Sequence, residues 1–160
     1  MAAPYYNPFQ GIDISVPEEF REKFQQYCQT GGRAVIDQSP FPRMVDFWFL
    51  AVCVAARLGF KPADLANADT YKIIEGSIFG NDPWRVHTLL LIAIAHTGDV
   101  EIVSEPRRIM ALANGFAVAG LPKVIEMLKD GQGEPIWNLS EAVEALLRLS
   151  GSTSQVHAHA

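Results

Sequence analysis

Two cysteines and four histidines are the side chains with which this 160-residue chain could most readily attack a substrate or hold a metal ion. Cys53 sits within Leu50-Ala51-Val52-Cys53-Val54, an aliphatic setting in which burial disfavours the thiolate. It reads as a core cysteine. Cys28 has Gln25, Gln26 and Gln29 for neighbours, and the same reading leads there. His87 and His96 are nine positions apart, or two and a half helical turns, so they face different sides of a helix. They do not form the compact pair of a zinc-binding HExxH helix. His157 and His159 alternate near the end, where no dedicated metal site is expected. Glu18-Glu19 reads as the charge at a helix start, and spacing alone does not bring Asp64, Asp69, Glu75, Asp82 and Asp99 together. There is no GxxxxGK[ST] loop and no dinucleotide fingerprint. No catalytic residue, cofactor or metal is expected. A small enzyme would need Cys28, Cys53, His87, His96 or nearby carboxylates to converge on an unrecognised pocket.

The residues better suited to function are those that make contacts. Arg43, Asp46, Arg57, Arg85, Arg107 and Arg108 interrupt otherwise apolar stretches. Arginine packs its stem while its head makes directed bonds to protein or phosphate. Trp48, Trp84 and Trp137 are candidate anchors, each also suited to the core. An interface is expected to draw on Arg43, Asp46, Trp48, Arg57, Trp84 and Arg85. Arg107-Arg108 is the adjacent basic pair, and with Arg43, Arg57 and Arg85 it supports the alternative of direct nucleic-acid binding.

These residues must be positioned by helices. Residues 1–16 read as an irregular arm, because Pro4, Pro8 and Gly11 oppose regular structure. A helix is predicted from Pro17 to the Gly31-Gly32 pair, with Phe20, Phe24, Tyr27 and Cys28 along one face. Residues 33–36 suit a short strand or an extended crossing. Pro40 and Pro42 break the chain before a helix from about Arg43 to Gly59 that is apolar on nearly every side. Such a helix is central in a bundle or pressed against a second chain. Residues 62–67 suit one helical turn, and residues 70–79 a strand or short helix. The next helix has Asn81 or Asp82 at its cap, Pro83 in its first turn and Gly98 beyond its end. Residues 99–103 suit a tiny strand or a tight link. Ser104 is the predicted cap of a helix that Gly120 and Pro122 separate from residues 121–130. Asn138, with Glu141 three residues on, predicts the start of a last helix, and residues 151–160 read as a flexible tail. The sum is a mainly α, compact single-domain helical bundle over 17–150, with room for a short β-hairpin.

Composition bounds the function. A hydrophobic fraction of 49% suits a folded core, whereas only 19% of residues are charged, which leaves room for a covered surface. A net charge of -5 opposes nonspecific nucleic-acid binding, so any such contact is expected to be indirect. The first fifteen residues lack the pattern of a signal peptide, and two cysteines make no secretory framework, so a reducing cytoplasm is expected. The apolar runs 47–56 and 89–95 are too short to span a bilayer, and no membrane contact is expected.

The stretches 41–62 and 111–128 resemble small proteins encoded beside bacterial DNA-phosphorothioation and related phage-defence systems. Phe41, Asp46, Ala55, Ala56, Gly59, Phe60, Ala113, Asn114, Gly115 and Leu121 carry the likeness, which covers roughly residues 35–129. It implies an accessory role in a DNA-directed defence assembly in the bacterial cytoplasm, and carries no active-site residue onto this chain. The leading expectation is a noncatalytic protein-interaction module with a protein partner. Self-association would also cover the apolar helix.

Overall fold

Met44–Leu58, the most apolar stretch, forms the helix around which the rest of the chain packs. The structure is a computed structural model that describes residues 6–30 and 35–154. In chain order it has strand β1 (Asp13–Pro17), helix α1 (Arg21–Tyr27), α2 (Met44–Leu58), β2 (Thr70–Glu75), α3 (Pro83–Thr97), α4 (Pro106–Lys129) and α5 (Pro135–Ser154). Short 3-10 turns precede α1, link β2 to α3 and link α3 to α4. The molecule is the expected mainly helical, single-domain bundle with one two-stranded antiparallel element. That element joins distant segments, with α1 and α2 between its strands.

The central helix satisfies its own start. Asp46 reaches back to accept from the Arg43 backbone N–H at 2.9 Å, and Gly59 closes the other end in the left-handed region. Phe47, Trp48, Ala51, Val52 and Ala55 are completely buried. An aromatic cluster packs one side: Phe41 stacks on Phe47 at 4.7 Å, and Phe24 and Tyr27 meet the same ring. On another side α2 crosses α4 at close range. A Cβ on Gly120 would overlap the Ala51 carbonyl oxygen and lie 3.2 Å from the Ala55 Cβ, so only glycine allows this approach. Most of this apolar helix is thus covered within the chain, with Arg57 and Leu58 exposed at its end.

The register of β1 places Ile14 and Val16 in the core, opposite Ile74 and Tyr71, with an irregularity between Ile14 and Ser15. This strand falls within the 1–16 stretch read as an irregular arm. Alternating Ile14 and Val16 outweigh the neighbouring breakers because both can be buried on one face. Phe9 is buried too, edge-on to Phe79 at 5.9 Å.

Other boundaries differ from expectation. The first helix ends at Tyr27, because Cys28 turns extended and bridges Phe41. Of residues 33–36, only 35 and 36 are described, and they form no strand. Residues 62–67 form no helix, and residues 99–103 take part in a 3-10 turn. Ser104 ends that turn, and Glu105 takes the cap position of α4. Gly120 and Pro122 do not break α4, which runs through both for 24 residues. Burial of Gly120, Leu121 and Val124 on both sides of the proline outweighs the lost backbone bond. This helix is long and apolar enough to cross a membrane, and its apolar face is spent against α2 and β1. Asn138 does not cap α5. It lies inside the helix, buried, and ties α5 to α4 by donating to Leu128 O at 3.1 Å and Gly133 O at 2.9 Å. The helix also reaches Ser154, into the stretch read as a tail, of which residues 155–160 lie outside the described residues.

Candidate functional site

Four of the six residues expected at an interface meet where α2 and α3 begin. Asp46 projects from the first turn of α2. Its carboxylate accepts from Arg43 Nη2 at 2.9 Å, Arg43 Nε at 3.2 Å and Arg85 Nη2 at 2.6 Å. Asp82, at the cap of α3, receives Arg43 Nη2 at 3.1 Å and faces Arg85 Nε at 3.6 Å, beyond hydrogen-bond reach. Two arginines and two aspartates therefore cancel within one cluster. Burial would raise the Asp46 carboxyl, but hydrogen bonds from Arg43 and Arg85 more than offset it and hold it below the ordinary 3.8. The same bond to Asp46 raises Arg43.

Arg85 is the deepest member, with a side chain only 9% exposed. Its guanidinium lies 4.7 Å from the Trp84 ring centre and 4.8 Å from that of Phe49. Trp84 in turn stands edge-on to Phe49 at 5.3 Å. Despite these contacts 54% of Trp84 is exposed. The ion cluster thus orients a large aromatic side chain whose outer half faces away from the protein.

Trp84 heads a continuous face. His87, Leu91 and Ala95 follow at helical spacing and are exposed, with half-buried Thr88 among them. Thr88 turns its hydroxyl back to donate to Trp84 O at 2.9 Å. Leu91 is 66% exposed. Between Arg85 and Asp99 the chain has no aspartate, glutamate, lysine or arginine. The turn beyond the helix also exposes Val100 and Val103. A helix face open to water usually carries charge, and interface centres are depleted of it.

The remaining candidates are elsewhere. Trp48 is a correction: it is wholly buried, with its indole N–H donating to Asn114 Oδ1 at 3.1 Å, and so is not a surface anchor. It lies on the buried side of α2, away from the exposed Arg57 and Leu58. Arg57 is exposed in the last turn of α2. Arg107 and Arg108 are exposed in the first turn of α4, where Arg108 pairs with Glu105 at 3.3 Å. Arg43 and Arg85, needed for the wider nucleic-acid patch, are engaged by Asp46 and Asp82. Trp137 is exposed on α5.

Sequence reasoning missed Phe49 and Leu91 as site residues and read Asp82 only as a cap. One signal was present: Arg43-x-x-Asp46 and Asp82-x-x-Arg85 are mirrored pairs at the starts of two helices. The charge-free run after Arg85 was another.

Neither cysteine is an activated thiol. Both cysteines are free. Burial, helped by Asp46, pushes the Cys28 thiol up to about 12. Burial pushes Cys53 up to about 11 against the opposing charge of Arg85. At pH 8 the folded protein should therefore react with iodoacetamide about three orders of magnitude more slowly at Cys28 than a free cysteine, and about two at Cys53. Mass spectrometry of timed samples checks this, and rapid labelling of either thiol in folded protein would reopen thiol catalysis. His96 stands edge-on to Phe116 at 5.2 Å. No group of three or more His, Cys, Asp or Glu gathers to hold a metal among the described residues, and His157 and His159 lie outside them.

No family model, curated protein or solved structure matches this chain.

Proposed function

We propose that this protein is a noncatalytic interaction module whose α3 face docks on a protein partner. The observation behind this reading is an oriented, half-exposed Trp84 at the head of an uncharged helix face. Trp84 enters an interface with little rotamer freedom left to lose, which suits it to act as a binding anchor. The partner surface that fits is an apolar, uncharged groove with a pocket for the indole. A charged groove would lose hydration against α3 and find no counter-charge there. The wider proposal, from the resemblance in residues 35–129, is an accessory subunit of a DNA-directed defence assembly in the bacterial cytoplasm. It would position or regulate a larger DNA-processing protein without touching DNA itself.

The test is the native mass of the complex from its own cells, followed by identification of its components. A stoichiometric DNA-processing partner supports both parts. A homo-oligomer keeps the docking surface and removes the defence assignment. Trp84→Ala is expected to weaken the recovered assembly by at least about tenfold while leaving the fold intact. A chain of 17.6 kDa at every concentration, or an assembly indifferent to Trp84→Ala, would remove the α3 face from consideration.

A further inference from the structure

A cleft of about 580 Å³ lies between the first half of α4 and residues 62–66, a size suited to small molecules. Pro62, Leu65, Ala66, Ala111 and Leu112 supply apolar walls, and Ser15, Asp64, Thr70, Arg108 and Asn114 supply polar groups. Its far wall is tied to α4 by the backbone: Ala63 N donates to Gly115 O at 3.0 Å, and a side chain at Gly115 would collide with Ala63 O.

Asn114 decides what the cleft can bind. Its Oδ1 accepts from Trp48 Nε1 at 3.1 Å and from Ser15 N at 3.3 Å. The carbonyl end is spent on these two donors, so the amide has one sensible orientation, with its Nδ2 hydrogens left for the cleft that Asn114 lines. A second cleft of about 330 Å³ shares Ala111 and Asn114 and is lined by Arg107. Arg107 and Arg108 thus flank the Ala111–Asn114 stripe.

The cations nearest Asn114 along the clefts are Arg107 and Arg108. Arg107 takes part in none of the ion pairs among the described residues. Arg108 and Glu105 are each about half exposed, at 53% and 50%, so their pair exchanges readily. Two acids also line the clefts. Asp13 pairs with Lys72 at 2.7 Å, about as exposed as the Arg108 pair, and Asp64, which keeps its charge, accepts at Oδ1 from Ala66 N at 2.9 Å. The preference for an anion thus rests on the donors and not on net charge. The hydrogen-bond donors at this place are those a carboxylate uses, and the walls suit a hydrocarbon body.

We propose that this cleft binds a small organic carboxylate, its body against Leu65 and Leu112 and its oxygens toward Asn114 Nδ2 and the flanking Arg107 and Arg108. The site is independent of the docking surface headed by Trp84. The test is titration of the ¹⁵N-labelled full chain with sodium phenylacetate, at matched ionic strength. Phenylacetamide serves as the uncharged control and inorganic phosphate as the anion without an apolar body. The Asn114 side-chain amide signals should shift saturably, with a dissociation constant near about 1 mM. Arg107→Gln and Arg108→Gln should each weaken binding by about tenfold. Ala111→Trp, at an exposed position, should fill the cleft and abolish the shift with the fold retained. No saturable shift by about 10 mM would overturn the proposal. So would equal binding of phenylacetamide or phosphate, or an undiminished shift in Ala111→Trp.

Discussion

Replacing Asp46 with alanine should lower the unfolding free energy by about 3 kcal/mol, measured by urea denaturation. The loss comes chiefly from Arg85, whose side chain is 9% exposed and keeps a long approach to Asp82 and a 3.5 Å bond from Nη1 to Val45 O once Asp46 is gone. Removing the closer partner of a buried pair leaves the other charge poorly hydrated and only partly compensated. Arg43 adds less, because its side chain is 41% exposed and water screens it. The backbone N–H of Arg43 also loses its acceptor at the start of α2. Asp46→Asn should be milder, since an amide can still accept. A change below about 1 kcal/mol for the alanine variant would mean that water reaches the cluster freely.

The same cluster sets an acid limit. Asp46 titrates below its ordinary value in the folded protein, so the unfolded chain binds its proton first as pH falls. The stabilisation is complete well above pH 3.8 and is lost as pH falls through that value toward the folded one. Asp46→Ala should therefore flatten stability against pH in this acid range. Wild type and variant losing stability in parallel there would assign acid sensitivity to other carboxylates.

Gly120→Ala should cost about 3 kcal/mol, measured by thermal and urea unfolding of the purified chain. The added methyl meets backbone, not a flexible side-chain end: the Ala51 carbonyl carbon would stand 2.9 Å away and its oxygen closer still. Relief requires α4 to move off α2, which opens the largest helix contact in the fold. In a free helix the same change would be stabilising, because alanine is the better helix former. The sign of the result thus separates tertiary packing from local propensity. A neutral or stabilised variant would show that α2 and α4 are more loosely packed than their backbones indicate.

Both experiments probe what the functional proposal stands on. The Asp46 cluster orients Arg85, and Arg85 holds Trp84 beside Phe49. The α2–α4 crossing in turn supports the helix that carries Asn114 and both arginines of the proposed carboxylate cleft. Partner binding lost in Trp84→Ala with stability retained would separate docking from this support.

Much of the fold was legible because local signals and burial agreed. Pro83 and Gly98 bounded α3, and Gly59 bounded α2, since backbone preference at these places needs no distant contact. The all-round apolar 44–58 run announced a central helix. The failures came where distant contacts outweighed local preference. Pro122 reads as a break, yet α4 continues because α2 packs along it. Asn138 reads as a cap, yet its amide is used to tie two helices together. Ile14 and Val16 found a strand partner more than fifty residues away, which no local pattern announces.

By itself the sequence determined a helical class, an apolar centre, a chain without a recognisable reaction motif and a charge-free stretch after Arg85. Only the tertiary structure decided that Trp48 faces inward and Trp84 outward, that Arg43 and Arg85 are neutralised by Asp46 and Asp82, and that Asn114 lines a cleft. The physical reason is range. Backbone preference and hydrophobic period act over a few residues, whereas burial and ion pairing depend on which distant segments share a few ångströms of space.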